Sequence, residues 1–399
     1  MDRLHCDVLI SGGGVAGLTA AAAFGSAGFS VICVDPQPPV TTADAPGTDL
    51  RTTAFLQPAR ALLDQAGLWD RLAPFAAPLQ VMRIVDAGGE TPEPRIIKDF
   101  DADDISDAPF GWNLPNWLLR REMMDRLTEL DCVTFLPGVA TISVLTRTSE
   151  ALISLSNGTR VAAQLLIAAD GRTSFVRDAV GLGVKTKRYG QKALAFSVTH
   201  PIPHGNVSTE IHRSGGPFTL VPLPDRDGMP CSSVVWMDTG PNAVRLKNLP
   251  VDAFETEMNE RSCGLFGPLK LVTDRSIWPM ISQIADRFES ERTALIAEAA
   301  HAVPPIGAQG LNMSLGDTQV LLDLAMNAPT TIGNAAMLHA YHRKRHPEVK
   351  LRVTGIDALN RASMMGSQQM RDLRAGLLNS LYSVTPVRKT LMKAGLGTR

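Results

Sequence analysis

The chain has 399 residues, of which 44% are hydrophobic, and this allows two domains with sizeable cores or one large discontinuous domain. The net charge of −1 argues against general nucleic-acid binding, and no apolar run reaches the roughly 20 residues that a membrane-spanning helix needs. The five cysteines are scattered without a Cys-x-x-Cys pair, and no secretory signal precedes the first predicted strand. We therefore expect a cytoplasmic protein without a zinc site.

A strand, a glycine turn and a helix are predicted at the start of the chain. Consecutive apolar residues indicate a buried strand over residues 6–11, and an alanine-rich helix follows over residues 18–24. The turn between them has the G-x-G-x-x-G spacing at Gly12, Gly14 and Gly17. The first glycine of this spacing permits a tight turn, the second lets the backbone approach a pyrophosphate, and the third lets the helix pack on the strand. The helix start offers unpaired N–H groups to the phosphates.

A second predicted strand, over residues 30–34, is closed by Asp35, which lies 23 positions after Gly12. A carboxylate at that place can accept a hydrogen bond from a ribose hydroxyl, so the whole unit indicates a bound dinucleotide. The alternative is a glycine turn that binds nothing. We favour the nucleotide because the strand, the helix, the second strand and the acid are all in register.

The rest of the chain alternates between strand-rich and helical stretches. Helices are predicted over residues 57–66, 115–130 and 251–266, and strand periodicity is found within residues 81–110, 133–169, 192–236 and 293–296. Asn157 and Gly158 form a typical hairpin turn. From residue 317 onward the chain is predicted to be helical, with breaks near Pro329 and Pro347.

Two further stretches follow predicted strands and carry short acids. The strand over residues 165–169 ends at Asp170 and Gly171. This acid can hold a sugar hydroxyl or a main-chain amide, and the glycine allows close backbone approach, although Asp-Gly by itself is a common turn. The strand over residues 293–296 leads to Glu298 and then to a loop that contains His301, for which we expect a bond to a backbone carbonyl rather than a catalytic role.

A helix start is predicted after that loop, over residues 309–312. Its dipole could face an anion or the electron-rich edge of a ring. Because a flavin gains negative charge at N1 and O2 when it is reduced, a helix start at that edge would favour the reduced form.

Taken together, the three stretches resemble the class A flavoprotein monooxygenases, the family of para-hydroxybenzoate hydroxylase, and within it the hydroxylases of ubiquinone biosynthesis. The resemblance extends to an arginine before the first long helix and to the segments that begin at Phe110, Tyr189 and Gly216. It implies contacts to FAD from Gly12, Gly14, Val15, Ala16, Gly17, Asp35, Arg51, Asn116, Asp170, Gly171, Glu298, Pro305, Gly310, Leu311 and Asn312.

The fold that this resemblance implies is α/β, with a Rossmann-like FAD-binding domain, an inserted mixed β-sheet substrate domain and C-terminal helices. The FAD-binding domain would be discontinuous. The implied limits are residues 1–80, 111–188 and 276–335 for the FAD-binding domain, 81–110 and 189–275 for the substrate domain, and 336–399 for the helices.

The third stretch departs from the family pattern. Ala297 and Glu298 stand where the family usually has Gly-Asp, and Ala308 replaces a glycine before Gln309. The glutamate side chain places its carboxylate one methylene further from the backbone than aspartate does. Either a change of rotamer compensates for this, or a hydrogen bond worth about 0.5–1.5 kcal/mol is lost. A left-handed backbone at Ala308 would cost about 1–2 kcal/mol. We therefore expect weaker FAD binding than in typical members.

The activity implied by the resemblance is hydroxylation of an aromatic ring. NAD(P)H, as a transient donor, or another donor reduces FAD, oxygen adds at C4a, and the distal oxygen of the hydroperoxide is transferred to the ring. The chain has no second glycine fingerprint, so no NAD(P)H site is assigned, and no catalytic base is identified. We expect a pocket between the flavin and residues 192–236, with Phe196, Phe218 and Trp236 either in its wall or in the core.

The branch of the family favours a polyprenylated phenol or quinone precursor as substrate. Two alternatives stay open. One is a flavoenzyme of the same fold with another substrate, such as a small soluble aromatic compound. The other is a non-catalytic scaffold of a quinone-biosynthesis complex, which the changes at Ala297, Glu298 and Ala308 keep open.

The C-terminal part of the chain is basic and amphipathic. Residues 342–399 contain 12 Lys/Arg and 3 Asp/Glu, a net charge of +9, whereas the preceding 341 residues have a net charge of −10. The apolar residues at helix-like spacing are Leu373, Leu377, Leu378, Leu381, Val387, Leu391 and Leu396. This pattern is typical of peripheral contact with the inner membrane or of a helix docked on the core with a solvated basic face, and we favour the docked helix. Membership of a complex or an oligomer is a further expectation.

Overall fold

The structure is a computed structural model that describes residues 3–43, 45–213, 215–364 and 367–396. The outermost predicted domain limits, residues 1 and 399, lie outside the described residues. The strands within these residues are β1 (Arg3–Ser11), β2 (Val31–Asp35), β3 (Thr52–Leu56), β4 (Ala77–Leu79), β5 (Val81–Asp86), β6 (Ile96–Asp101), β7 (Gly111–Pro115), β8 (Val133–Pro137), β9 (Thr141–Thr146), β10 (Ala151–Leu155), β11 (Arg160–Ala168), β12 (Val184–Thr199), β13 (Val207–His212), β14 (Pro217–Arg226), β15 (Met229–Thr239), β16 (Lys270–Leu271), β17 (Ser276–Ala285), β18 (Glu289–Ser290), β19 (Thr293–Leu295) and β20 (His301–Ala302).

The helices connect and cover these strands. They are α1 (Val15–Ser26), α2 (Gln57–Gln65), α3 (Trp69–Leu72), α4 (Asn116–Thr128), α5 (Phe175–Ala179), α6 (Gly240–Asn248), α7 (Val251–Arg261), α8 (Ala297–Ala300), α9 (Gln309–Asn327), α10 (Ala335–Ser363), α11 (Gln368–Ser383) and α12 (Thr385–Leu396). Short 3-10 turns cover Ala73–Phe75, Ala102–Asp104 and Pro329–Thr331.

The first sheet has a parallel centre with the strand order β18-β19-β11-β1-β2-β8. Strand β1 pairs in parallel with β11 and β2, β2 pairs in parallel with β8, and β11 pairs in parallel with β19. The predicted Asn157-Gly158 hairpin joins β10 to β11, which pair antiparallel. The central strands are apolar without alternation because both faces of such a sheet are buried.

The second sheet is mixed and has the order β20-β17-β12-β15-β14-β13-β5-β6, with β16 paired to β12. Its ladders are antiparallel except for the parallel pair of β5 and β13. A third sheet consists of β3, β7 and β4. Along the sequence, its strands stand between strands of the first sheet and strands of the second sheet. The predicted α/β architecture, with an inserted mixed sheet and C-terminal helices, is confirmed.

The limit predicted between residues 275 and 276 does not separate the two sheets. It falls at the first residue of β17, which pairs with β12 and therefore belongs to the second sheet. Strand β12 itself begins at Val184, before the predicted limit at residue 189. The chain re-enters the second sheet at Val184, and β17 continues to Ala285, so both predicted limits are displaced.

Two predicted helix limits differ from the structure. The break predicted at Pro347 is wrong, because α10 continues through this proline. Buried Tyr341 and Val349 anchor the helix on both sides of Pro347, so packing outweighs the lost backbone hydrogen bond. The helix predicted over residues 251–266 ends at Arg261 as α7, since Cys263 and Gly264 take left-handed backbone conformations.

The C-terminal helices α11 and α12 lie against β5, β6 and the start of α9. The Tyr382 hydroxyl donates a hydrogen bond to the Asp99 carbonyl, and Met392 and Leu396 are buried beside Phe110. The docked position agrees with the favoured prediction, but the solvated basic face does not, because Arg374 and Arg388 bind Asp86 and Asp104 and leucines are exposed instead. No helix in the described part of the chain is both long and apolar enough to cross a membrane.

Candidate functional site

The three sequence stretches meet at one edge of the first sheet. Strands β1, β2, β11 and β19 run parallel, so their carboxyl ends lie together. Each is followed directly by residues predicted to bind a cofactor: the glycine turn after β1, the acid that ends β2, the Asp-Gly pair after β11, and α8 after β19. The carboxyl edge of a parallel sheet is where open α/β folds bind ligands.

The glycine turn has the geometry that a pyrophosphate needs. Gly12 has φ +115°, and a Cβ added to it would lie 2.3 Å from the Ala169 carbonyl oxygen. A Cβ on Gly17 would lie 1.9 Å from the Gly12 oxygen, so close packing of α1 on the turn requires glycine at both positions. Around Gly14, no described atom lies within 4 Å of such a Cβ. Open space therefore remains in front of the start of α1, which fits a phosphate group.

The Asp35 carboxylate faces the glycine turn. Its Oδ2 accepts a hydrogen bond from the Gly13 N–H at 2.6 Å, and its Oδ1 accepts one from the Gln37 N–H at 2.8 Å. The family usually has a glutamate at this position. In this chain the shorter aspartate side chain accepts hydrogen bonds from backbone N–H groups. Each carboxylate oxygen keeps a lone pair that could accept a ribose hydroxyl.

The Asp170 carboxylate holds a main-chain amide, which is one of the two roles considered for it. It accepts hydrogen bonds from the Ser174 hydroxyl and, at 3.0 Å, from the Val176 N–H, and so caps α5. Burial raises the pKa of Asp170 despite these bonds. Gly171, at φ +86°, leaves backbone rather than a side chain at the edge of the cleft.

Arg51 and Asn116 are brought together by Asp49, a residue that the sequence did not single out. The Arg51 guanidinium donates two hydrogen bonds to the Asp49 carboxylate, each 2.7 Å long. Asn116 donates to Asp49 Oδ2 at 3.0 Å and accepts from the Thr53 hydroxyl at 2.8 Å. Burial alone would raise the pKa of Asp49, but the bonds from Arg51 and Asn116 hold it below its usual range.

The extra methylene of Glu298 is used to reach across the cleft. Glu298 Oε1 lies 3.0 Å from Arg172 Nη2, and this ion pair joins the segment after β19 to the segment after β11. Arg51 lies close enough for the Glu298 charge to contribute to raising the pKa of the arginine, although the largest effect is the hydrogen bond to Asp49. The Arg51 guanidinium is 5.7 Å from the centre of the Trp278 ring. Arg172 follows Gly171 directly in the sequence, but its partner is 126 residues away.

The two alanines that replace family glycines both have left-handed backbones. Ala297 has φ +54° and Ala308 has φ +56°. The Ala297 N–H donates to the buried Asp317 carboxylate at 3.3 Å, and the Ala308 carbonyl accepts from Asn312 Nδ2 at 2.6 Å. The surrounding structure thus holds both conformations despite the Cβ. Ala308 therefore has the left-handed backbone at which a Cβ costs free energy. Weaker FAD binding than in typical members of the family stays a prediction.

Glycine at Ala308 is expected to maintain or raise the free energy of unfolding. The change removes about 1–2 kcal/mol of strain, and the more flexible unfolded chain offsets about 0.4–1 kcal/mol of that gain. Urea unfolding of the apoprotein measures the difference. The matched control is Ala358→Gly on the exposed side of α10, which should lose about 1 kcal/mol because glycine is a poor helix former. Equal losses in both variants would contradict the strain at Ala308.

Helix α9 begins beside this alanine, as predicted. No side-chain cap covers the start of α9 among the described residues, so the N–H groups of Gly310 and Leu311 remain for a ligand. The Asn312 side chain instead joins α9 to β3, accepting from the Leu56 N–H at 2.8 Å and donating to the Ala54 carbonyl at 2.7 Å. Pro305 lies half-buried in the loop before this helix start.

His301 is buried and binds a carboxylate, not the backbone carbonyl that we expected. Its Nε2 lies 2.7 Å from Asp317 Oδ2, while Arg345 Nε donates to Asp317 Oδ1 at 2.8 Å. Burial alone would raise the pKa of Asp317, but His301 and Arg345 hold it below its usual range. The three side chains form an internal support behind α8 and α9.

The aromatic residues considered for the pocket wall belong to the core. Phe196, Phe218 and Trp236 are buried with Phe254 between the second sheet and helices α6 and α7. Their ring centres are 5.1 Å apart for Phe196 and Phe254, and 5.4 Å apart for Phe218 and Trp236. The interpretation of these three residues as pocket wall is therefore corrected.

The opposite face of the second sheet is lined by small side chains. Side chains alternate along a strand, so Ser233 and Val235 point away from the aromatic core. Ser233 Oγ lies 2.8 Å from the Thr52 hydroxyl, and Asn113 donates to the Pro222 carbonyl at 2.9 Å. This face is therefore turned towards the three-stranded sheet that carries Arg51 and Asn116 at its ends.

Comparisons with known proteins agree with this geometry. A family model described as "FAD binding domain" matches residues 5–355. A ubiquinone hydroxylase, UbiL, of Rhodospirillum rubrum is 32% identical and covers 98% of this chain and 90% of its own length. The 3-demethoxyubiquinol 3-hydroxylase of Escherichia coli is 23% identical over the full length of both chains. The p-nitrophenol 4-monooxygenase PnpA of Pseudomonas putida has the same fold, with a TM-score of 0.79, 18% identity and full coverage of both chains.

Proposed function

Because the chain belongs to the FAD binding domain family, as a flavin-dependent aromatic monooxygenase, we propose that it hydroxylates a polyprenylated phenol or quinone precursor in ubiquinone biosynthesis. The observation that carries this substrate class is the 32% identity to a ubiquinone hydroxylase over nearly the full length of both chains. A second hydroxylase of a demethoxyubiquinol matches from end to end. FAD is the cofactor, with NAD(P)H as the donor typical of the family.

We propose that FAD lies along the carboxyl edge of the first sheet. The open space at Gly14 and the start of α1, which has no side-chain cap, suit its pyrophosphate. The Arg51 guanidinium, which is held by Asp49 and is 42% exposed, is a further proposed contact. The start of α9, at Gly310 and Leu311, suits the electron-rich edge of the ring. When bound, FAD supplies the redox chemistry with oxygen.

Other predicted contact residues would act through their backbone or through their neighbours. The described side-chain hydrogen bonds of Asp170 and Asn312 are made to other groups of the protein. We therefore propose that these two residues shape the site and do not bind the cofactor through their side chains. Asp35 keeps lone pairs for a ribose hydroxyl and Glu298 keeps one carboxylate oxygen outside its pair with Arg172. The remaining proposed contacts are made by Gly12, Val15, Ala16, Gly17, Asn116, Gly171 and Pro305.

We propose that the aromatic ring of the substrate binds between the flavin site and the small-residue face of the second sheet. Ser233, Val235 and the neighbouring Thr219 are small side chains on this face, whereas the bulky aromatic residues pack on the opposite one. The chain's own contribution is placement and exclusion of water, since no side chain here is identified as a catalytic base.

Purified protein tests the activity, and a gene deletion tests the pathway. We expect flavin absorbance that is released on denaturation, oxygen uptake with NAD(P)H and a prenylated phenol, and a hydroxylated product. A deletion strain should accumulate a quinone precursor that lacks one hydroxyl group. Turnover of small soluble phenols alone would replace the proposed substrate class. A colourless protein that takes up no added FAD would support a scaffold and contradict the proposed enzyme.

We also propose peripheral contact with the inner membrane, because a polyprenyl tail partitions into a bilayer. Contact with other proteins of quinone biosynthesis and assembly into an oligomer are further proposals of the same kind. Co-purification from membranes and the mass of the purified protein in solution test them.

A further inference from the structure

The Gln309 side chain, at the first position of α9, binds three separate parts of the protein. The residue is 9% exposed. Its Nε2 donates hydrogen bonds to the Gly307 carbonyl and to the Gly395 carbonyl of α12, each 2.9 Å long. Its Oε1 accepts a hydrogen bond from Arg352 Nη1 of α10 at 2.8 Å. Both N–H groups of the carboxamide are therefore committed to the protein, so this side chain does not donate to a cofactor.

The turn before α9 depends on side chains of the helix itself. It consists of two successive left-handed residues, Gly307 with φ +62° and Ala308 with φ +56°. Gln309 holds the Gly307 carbonyl, and Asn312 holds the Ala308 carbonyl at 2.6 Å. A left-handed alanine persists only where the surrounding contacts determine the backbone. These two side chains therefore set the direction in which the chain enters α9, and with it the direction of the N–H groups in the first turn.

The end of α12 is joined to this turn through Gln309. The Gly395 carbonyl lies in the last turn of α12, where carbonyl groups lack partners within the helix, and Gln309 supplies the partner. The same turn of α12 is fixed by Met392 and Leu396, which are buried beside Phe110. The position of the α9 start is therefore linked to the packing of the C-terminal helix.

Helix α10 holds the other end of the carboxamide. An arginine side chain has only hydrogen-bond donors, so Arg352 keeps Oε1 of Gln309 on its own side and leaves Nε2 for the two carbonyls. Arg352 Nε lies 3.3 Å from a Glu348 oxygen, and Arg345 Nη1 donates to the other Glu348 oxygen at 2.6 Å. The contact is thus connected to Arg345, which belongs to the internal support behind α8 and α9.

We propose that Gln309 is a positioning residue, through which α12 fixes the helix start that faces the flavin. The proposal rests on the proposed function, because that function places the electron-rich edge of the flavin ring at the start of α9. The positive end of a helix stabilises negative charge within about one turn, so its effect depends on where the first N–H groups point. Release of the Gln309 contacts lets this turn move, which disfavours the reduced flavin and lowers the midpoint potential.

The midpoint potential of protein-bound FAD, measured by reductive titration with a redox dye, tests the proposal. Gln309→Met keeps the length of the side chain and removes its hydrogen bonds. We expect the reduced flavin to be favoured roughly 3- to 10-fold less, which lowers the potential of a two-electron couple by about 15–30 mV. The matched control is Gln319→Met on the same helix, which removes bonds to Gln65 and Asp323 and should leave the potential unchanged.

Two further variants separate the contributions of α12 and α10. Met392→Ala loosens the last turn of α12 and leaves the Gln309 side chain in place, so it should also lower the potential. The double variant Gln309→Met/Met392→Ala should be lowered no further than Gln309→Met alone. Arg352→Met releases the carboxamide from α10, and it gives the measurement if Gln309→Met retains no FAD. A lowered potential is expected here as well.

Unchanged potentials in Gln309→Met and Arg352→Met would overturn the proposal. Additive shifts in the double variant, or no shift in Met392→Ala, would show that Gln309 acts without α12 and would overturn the link to that helix. The colour of the wild-type protein and its turnover of a prenylated phenol report on the proposed function alone. A coloured and active wild type with unchanged potentials in the variants would therefore reject this inference and leave the proposed function standing.

Discussion

Replacing Asp49 by alanine is expected to weaken FAD binding by about 10- to 100-fold. The Asp49 carboxylate holds the Arg51 guanidinium by two 2.7 Å hydrogen bonds and Asn116 by a third at 3.0 Å. Hydrogen bonds to charged groups contribute about 1.5–3 kcal/mol, which corresponds to this range of affinity. Without the carboxylate, the two proposed FAD contacts lose the orientation that they share.

Titration of the apoprotein with FAD, followed by flavin fluorescence, measures the effect. Asp49 is a positioning residue, so Asp49→Ala should add little once Arg51→Ala and Asn116→Ala are present. The control is Asp64→Ala, which removes an exposed carboxylate 3.5 Å from Arg60 and should leave FAD binding unchanged. A loss that is the same with and without the Arg51 and Asn116 side chains would show that Asp49 acts by another route.

Replacing Asp317 by alanine is expected to lower the free energy of unfolding by about 3–5 kcal/mol. The change removes the buried carboxylate that binds both His301 and the Arg345 guanidinium, which is 5% exposed. Arg345 then keeps only its pair with the more exposed Glu348, and breaking a buried ion pair by removing one partner is costly. Urea unfolding of the apoprotein measures the loss. The control Glu150→Ala breaks the exposed 3.5 Å pair with Arg3 and should cost at most about 1 kcal/mol. A loss below about 1 kcal/mol in Asp317→Ala would contradict a supporting role for the buried network.

Acid should also weaken the protein through Asp317. Its pKa is below the usual value in the folded chain, so its contribution to stability is present above the unfolded pKa of about 3.9. That contribution is lost as the pH falls from there towards the folded pKa. The Asp317→Asn variant should lack this part of the pH dependence. Parallel unfolding curves for the variant and the wild type below pH 5 would be the contrary result.

Local features of the site could be predicted because their cause is local. The tight turn at Gly12 and the packing at Gly17 follow from glycines at the required spacing after a buried strand. The start of α9 was predicted at Gln309 from the residues around it. The positive φ of Gly12, the contact of Gly17 with Gly12 and the start of α9 depend on neighbours within a few residues, whereas the close approach of Gly12 to the Ala169 carbonyl depends on the fold.

The partners of the polar side chains could not be predicted in the same way. His301 binds the Asp317 carboxylate instead of a backbone carbonyl. Glu298 forms an ion pair with Arg172, and Asn312 accepts a hydrogen bond from a strand residue 256 positions earlier. One partner, Asp49, could have been found from the sequence, because it stands two positions before Arg51. A hydrogen-bond partner is chosen by distance in space, which a pattern in one chain does not contain.

For the C-terminal helices, the sequence predicts the type of element but not its orientation on the core. The sequence predicts a helical, basic and amphipathic C-terminal part, because propensity and spacing are properties of the segment itself. It did not determine which side faces the core. That side is set by distant residues of the fold, because Asp86 at the end of β5 and Asp104 in the turn after β6 attract Arg374 and Arg388 inward and leave the leucines of α11 and α12 exposed.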